Sequence, residues 1–311
     1  MGVRAFPVML LLAACAPERS ADDGVVVVEG LEDEALPSDE LGPPALSPGY
    51  LEFGVSAVDQ GETVTLSVRG ASSGDTIDFL RSPRYGQGGC PGRLGGRCLQ
   101  LQGPLVQIGS ATANAHGDAS FSFQMSPAFG LGREIALEAV VTGRSAKTSE
   151  PQVRQARANG AAGPYGLGAS YRLANMASVS QDAILAHTIV VAETAEVTGF
   201  GCHGRASSRR FKAALYDDNN GAPGRLLVES GPAPFQVGIN LAPATSPTTV
   251  QPGRYWLATV FEQGVETWSN GLEWGNPEWI ILQPFGQALP QRWQGGNFYQ
   301  SPRINCFVRV E

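Results

Sequence analysis

The chain has 311 residues, a net charge of −7 and only 16% charged residues, against 39 glycines and 22 prolines. That length suffices for two domains of ordinary size. An acidic chain without a basic stripe argues against nucleic acid as a partner, because phosphate contacts need Lys and Arg in number. Few charges, many turn formers and many short apolar runs predict an all-β architecture.

At the start, Arg4 precedes an apolar run that ends at Leu12, and two small residues then lead to a cysteine. A positive charge, an apolar segment and a small-residue cleavage site are the layout of a secretory signal peptide. The closing Leu12-Ala13-Ala14-Cys15 resembles the lipobox of bacterial lipoproteins. The resemblance implies a signal peptide over 1–14, lipid on Cys15 and the membrane as a partner through that anchor. Two acyl chains hold stably, since each buried CH2 contributes about 0.8 kcal/mol. Cys15 is followed by Ala16. In Gram-negative lipoproteins an Asp there favours the inner membrane, so the resemblance implies the outer membrane or cell surface. No later stretch reaches the ~20 apolar residues of a membrane-spanning helix. Residues 15–46 are expected to be a disordered tether. Their Leu31-Glu-Asp-Glu-Ala-Leu-Pro-Ser-Asp-Glu40 stretch is acidic and has no apolar period with which to offset chain entropy.

With Cys15 lipidated, Cys90, Cys98, Cys202 and Cys306 remain, an even number that predicts disulfides in an exported protein. Of the three connectivities, Cys90–Cys98 with Cys202–Cys306 is expected, because each pair then lies in one domain. Seven residues separate Cys90 from Cys98 and no Cys-x-x-Cys is present, which argues against a zinc site.

The first folded unit is expected over 47–153. Val64, Leu66 and Val68 alternate with polar neighbours, as do Ile77 and Phe79, Phe121 and Phe123, and Ile135, Leu137, Ala139 and Val141. Period-2 patterning of this kind puts one face in a core and the other in water. Asp59-Gln60-Gly61, Ser73-Gly74-Asp75 and Asn114–Asp118 are turn signals between the runs. Roughly seven short strands in about a hundred residues read as an immunoglobulin-like sandwich. The stretch Gly109–Phe123 resembles the central hairpin of bacterial Ig-like repeats in surface proteins. Cys90–Cys98 would staple a Gly-rich insert, and a binding loop there is the other reading. A Gly/Ala linker is expected over 154–165.

The second unit, 166–311, carries eight candidate strands, at 187–192, 196–203, 211–216, 225–230, 238–241, 254–261, 279–282 and 305–310, which fit a jelly-roll sandwich. Lys212–Leu227, with Leu215-Tyr216, an Asp/Asn-rich loop and Gly221-Ala-Pro-Gly224, and Val250–Phe261, with Gly253-Arg-Tyr-Trp-Leu-Ala258, resemble a jelly-roll module of bacterial secreted and surface proteins. That resemblance implies the fold and no specific activity.

Candidate chemistry is sparse. His116, His187 and His203 lie in no hydrolase or metalloprotease setting, so the chain is expected not to be an enzyme. Asp217, Asp218 and Asn219 have oxygens suited to structural calcium, and the same Asp217–Gly221 run suits a tight turn. Trp256 and Trp279 lie in apolar strands and read as core. Trp268, Trp274 and Trp293, joined by Phe298 and Tyr299, lie in Ser/Asn/Gly-rich segments. They either cap the ends of the sandwich or form a ligand surface, since indole faces stack on sugar C–H groups. The sequence therefore reads as a lipid-anchored, cell-surface binding or adhesion protein, with polysaccharide or a surface protein as its partner. A structural envelope lipoprotein and a hydrolase with an unrecognised site are the alternatives.

Overall fold

The computed structural model describes residues 50–143, 146–159, 165–168, 175–205, 209–269, 276–301 and 304–311. Cys15 and the expected tether lie outside them. The protein is all-β: among the described residues the one helical element is a 3-10 turn at Gly92–Leu94. No described helix is long and apolar enough to cross a membrane.

The N-terminal sandwich runs through β1 (Tyr50–Val55), β2 (Thr63–Arg69), β3 (Thr76–Ser82), β4 (Arg84–Tyr85), β5 (Leu101–Gln102), β6 (Val106–Thr112), β7 (Ala119–Gln124), β8 (Glu134–Val141), β9 (Lys147–Ser149) and β10 (Gln152–Gln155). β1 joins both of its sheets. Tyr50 and Leu51 pair in parallel with β9, whereas Glu52 to Val55 pair antiparallel with β2. A strand that changes sheets makes a corner of the sandwich. β2 then pairs with β7, while β8 carries β9 and β10 on one side and β3, followed by β6, on the other. The core between the sheets is built from the alternating residues of the sequence pattern, with Val64, Leu66, Ile77, Phe79 and Leu137 fully buried. Residues 154–157, expected to begin a linker, continue the fold. Arg154 donates to the Val55 carbonyl at 3.1 Å, and Arg157 grips Asp59 through Nε at 2.6 Å and Nη2 at 2.8 Å.

A second, smaller core lies on the outer face of β8. Leu94, Leu99 and Leu101 pack there on Ala136, Val140 and Val153, under the loop closed by the Cys90–Cys98 disulfide. The staple thus holds a hydrophobic cap. Glu138 is buried inside this cap, where its Oε2 accepts the Gln100 N–H at 3.0 Å. Burial pushes its carboxyl from 4.5 up to about 8. The folded state therefore holds this proton more tightly than the unfolded chain. The resulting stability is complete below about pH 4.5 and is lost as pH rises towards 8, at about 1.4 kcal/mol per unit. Chemical denaturation should show Glu138→Gln losing less stability than the parent between about pH 5 and about pH 8. The curve is flattened rather than levelled, because buried Glu278 is raised in the same direction. Superimposable pH profiles would overturn this account.

The C-terminal sandwich comprises β11 (Tyr165–Gly168), β12 (Asn175–Val179), β13 (Ala183–Val191), β14 (Ala195–Gly204), β15 (Arg210–Asn219), β16 (Ala222–Glu229), β17 (Ala233–Pro234), β18 (Gly238–Val250), β19 (Gly253–Phe261), β20 (Val265–Ser269), β21 (Asn276–Leu282), β22 (Asn297–Ser301) and β23 (Cys306–Val310). All eight expected strands are present, most of them longer, and β11, β12, β17, β20 and β22 are additional. One sheet has the order β11-β23-β14-β20-β12, with β18 also on β14; the other has the order β16-β15-β19-β13-β21-β22, with β17 on β15. Phe200, Phe211, Phe235, Leu257, Phe261 and Val308 fill the space between them. The Cys202–Cys306 disulfide joins residues directly opposed on β14 and β23.

The two sandwiches pack on each other through β1 and β13. Gly54 permits this approach, since a Cβ built on it would stand 2.7 Å from both Val190 Cγ1 and the Val190 carbonyl oxygen. Beside it, buried Glu52 meets Arg254 of β19 at 2.8 Å. Burial raises the Glu52 carboxyl from its ordinary range, and the Arg254 charge opposes that rise. Glu193, after β13, accepts the Ala57 N–H at 2.7 Å and the Tyr165 hydroxyl at 2.7 Å.

Candidate functional site

β13, β15 and β19 carry apolar residues on both faces. Leu185, Leu215 and Leu257 point between the sheets, whereas Ile184, Ala186, Ala214, Tyr216, Trp256 and Ala258 form a second cluster on the outer face. Continuous burial replaces alternation because residues 283–296 cross that face as a strap. Phe285 and Leu289 of the strap are buried against it. Lys212 Nζ donates to the Gln287 carbonyl at 2.6 Å, the Tyr216 hydroxyl donates to the Pro290 carbonyl at 3.0 Å, and the Leu226 N–H donates to the Gln291 carbonyl at 3.0 Å. At its far end Trp293 donates its backbone N–H to the Gly224 carbonyl at 2.8 Å and packs edge-on to Tyr216 at 5.4 Å.

The face is aromatic but not fully covered. Trp279 on β21 and Phe298 on β22 stand opposite each other in register, with ring centroids 5.8 Å apart. Both are half-buried, and Leu282 at the end of β21 is 72% exposed. The Nε1–H groups of Trp279 and Trp293 are shielded from solvent and have no acceptor among the described residues. A buried donor without an acceptor costs about 1–3 kcal/mol. The half-open ring pair can receive the apolar side of a ligand, and an acceptor reaches the shielded Trp279 N–H where the rings shift to admit it.

Trp293, expected as a ligand residue, thus anchors the strap, and its indole N–H has no acceptor among the described residues. Trp268 sits on β20 opposite Met176, and Tyr299 on β22 opposite Glu278. Trp274 lies outside the described residues. Trp279 reads as core in the sequence, because Trp279-Ile-Ile-Leu282 looks like one apolar strand, yet its ring reaches the outer face. The signal that could have found it is its phase relative to Ile280, whose side chain joins the inner core.

The Asp217–Gly221 segment ends β15 in a tight turn, with positive φ at Asn220 (54°) and Gly221 (92°). Asp217 accepts the Arg225 N–H and pairs with its guanidinium at 3.6 Å. Asp218 accepts the Trp256 Nε1–H at 2.8 Å, and Arg254 lies 3.8 Å from the same oxygen. Asn219 pairs with Ala222 across the turn. Among the described residues no group of three or more His, Cys, Asp or Glu is gathered as a metal site.

The histidines lie apart. His116 is in a surface turn, where its backbone N–H donates to Asn114 Oδ1 at 2.8 Å. His203 is buried beside Phe307, with ring centroids 5.9 Å apart. His187 is buried on β13 opposite Glu278, whose carboxyl burial pushes up to about 8.

No family profile and no curated protein matches the chain. Solved structures do match. One, the SusE-like protein BT2857, is 9% identical, with 86% of this chain and 99% of that chain covered and a TM-score of 0.22. A likeness this low carries no argument about function.

Proposed function

We infer that the protein is an extracytoplasmic binding protein, anchored to the outer membrane by lipid on Cys15, that recognises carbohydrate on the β21–β22 face of its C-terminal sandwich. The carrying observation is the half-open Trp279–Phe298 pair, with an indole donor that has no acceptor among the described residues. A sugar ring offers what that pair lacks, namely C–H groups for the aromatic faces and hydroxyl oxygens for the N–H. Export and anchoring are supported by the signal peptide, by the lipobox resemblance and by two disulfides, which persist in oxidising compartments.

Titration of the full-length protein in detergent with neutral glucans, xylans and galactans, followed at the indole N–H resonances, tests this reading. The Trp279 signal should shift on binding. Trp279→Phe, which keeps a ring and deletes the donor, should weaken affinity by about 2- to 10-fold. Phe298→Ala should weaken it as well. If no glycan moves the Trp279 resonance, or both variants bind as the parent does, the reading fails. The same titration with calcium and with chelator tests Asp217, Asp218 and Asn219 as cation ligands, which the carbohydrate reading does not require.

A further inference from the structure

The N-terminal sandwich has a groove of about 190 Å³ at the open end of its core. Three segments form it: the exit of β3 at Arg81-Ser82-Pro83, the entry of β6 at Pro104 and Val106, and the turn from Phe129 to Ile135. Phe129 and Ile135 belong to the core, so the floor is apolar. Leu131, 62% exposed, and Leu105, 43% exposed, flank it in sequence.

Two guanidinium groups stand on this apolar ground in a chain whose net charge is −7. Arg133 lies over the Phe129 ring, 5.2 Å from its centroid. Arg81 is opposite Leu137 on β8, and its Nε is shielded from solvent with no acceptor among the described residues. A carboxylate in the groove can accept two parallel bonds from a guanidinium fork. One carboxylate, Glu134, lines the groove. Its oxygens accept hydrogen bonds from hydroxyls, which a sugar ring carries and an acidic peptide lacks.

We propose that this groove binds one hexuronate unit of an anionic polysaccharide. The carboxylate pairs with Arg81 and Arg133, the ring's C–H face rests on Pro83, Pro104 and Val106, and hydroxyls donate to Glu134. The volume is below the roughly 300–1,000 Å³ of drug-sized sites, so it suits a single ring. Glu134 and the apolar wall favour a sugar over an acidic peptide, which has carboxylates but lacks the hydroxyls. This site is on the other sandwich from Trp279 and does not depend on the carbohydrate reading made there.

Calorimetric titration of the full-length protein with trigalacturonate, its methyl ester and triglutamate separates the outcomes. Trigalacturonate should bind and its ester, with the same rings uncharged, should bind far more weakly. Arg81→Gln and Arg133→Gln should each weaken trigalacturonate by roughly 10- to 100-fold. Arg133→Lys, which keeps the charge and loses the fork, should fall between parent and Arg133→Gln. Unchanged thermal melting of these variants and an unchanged response to Trp279→Phe would confirm that the effect is local. The proposal is overturned by equal affinity for acid and ester, by triglutamate binding as tightly as trigalacturonate, or by Arg variants that bind like the parent. A neutral glycan that binds through Trp279 while trigalacturonate does not bind would overturn this proposal alone.

Discussion

Replacing Cys202 and Cys306 together by Ala should lower stability by about 4–5 kcal/mol, the loss expected when a loop of about a hundred residues is no longer closed in the unfolded chain. The bridge spans 104 positions of sequence. Its two residues are already opposed on neighbouring strands, so the native sheet keeps its register without the bond. The effect therefore acts mainly through the unfolded ensemble, and the folded variant should retain the parent's far-UV spectrum. In thermal melts the midpoint should fall by roughly 10 °C. Opening Cys90–Cys98 should cost less, because it closes a loop spanning only eight positions. A double variant at Cys202 and Cys306 that melts with the parent would show that the bond contributes little.

Gly54→Val should be the most damaging single substitution at the junction of the sandwiches. The new Cβ would stand 2.7 Å from the Val190 side chain and 2.7 Å from the Val190 carbonyl oxygen. Overpacking of this kind typically costs 1–3 kcal/mol, and here about 3 kcal/mol or more is expected because one obstacle is backbone. Moving β1 away also strains the 2.8 Å contact between buried Glu52 and Arg254. Losing that contact leaves Arg254 with Asp218, 3.8 Å away, as its remaining partner, which adds to the loss. Solution scattering should show a larger radius of gyration, and denaturant unfolding a lower midpoint. Val190→Ala in the Gly54→Val background should recover only part of the loss, since the carbonyl oxygen remains. Full recovery would mean that side-chain crowding alone sets the junction.

The legible parts of the fold are those in which one face of a strand meets water. β2 reads Thr-Val-Thr-Leu-Ser-Val-Arg, and Val64, Leu66 and Val68 are buried between more exposed neighbours. β1, Tyr-Leu-Glu-Phe-Gly-Val, is buried along its whole length and has no such rhythm. It lies between two sheets and against β13, so its pattern carries no sign of a strand half in water. β18 runs thirteen residues from Gly238 although only its first four read as a strand, because Pro243, Pro247 and several Ser and Thr residues look like a loop. The pairings Cys90–Cys98 and Cys202–Cys306 were legible because each pair falls within one stretch of recurrent strands.

The candidate sites were less legible. Aromatic residues in polar segments drew attention to Trp268, Trp274 and Trp293, while Trp279 was hidden in an apolar run. Arg81 and Arg133 are ordinary charges in the sequence, 52 positions apart. Only closure of the sandwich brings them to one groove.

The sequence by itself determined the all-β class, the turn at Asn220-Gly221 and the pairing of four cysteines. They rest on local period, on backbone permissiveness, and on an even count with each cysteine pair confined to one run of strands. The tertiary structure alone decided which charges are buried, namely Glu52 under Arg254, Glu138 under the disulfide loop and Glu278 opposite His187. It alone laid the 283–296 strap over the outer face and left the Trp279 donor without an acceptor among the described residues. A strand's sequence states how often it turns an apolar side to a core. Which distant segment covers the other side depends on how the sheets stack, and that sets desolvation, and with it the protonation and binding capacity of every group between them.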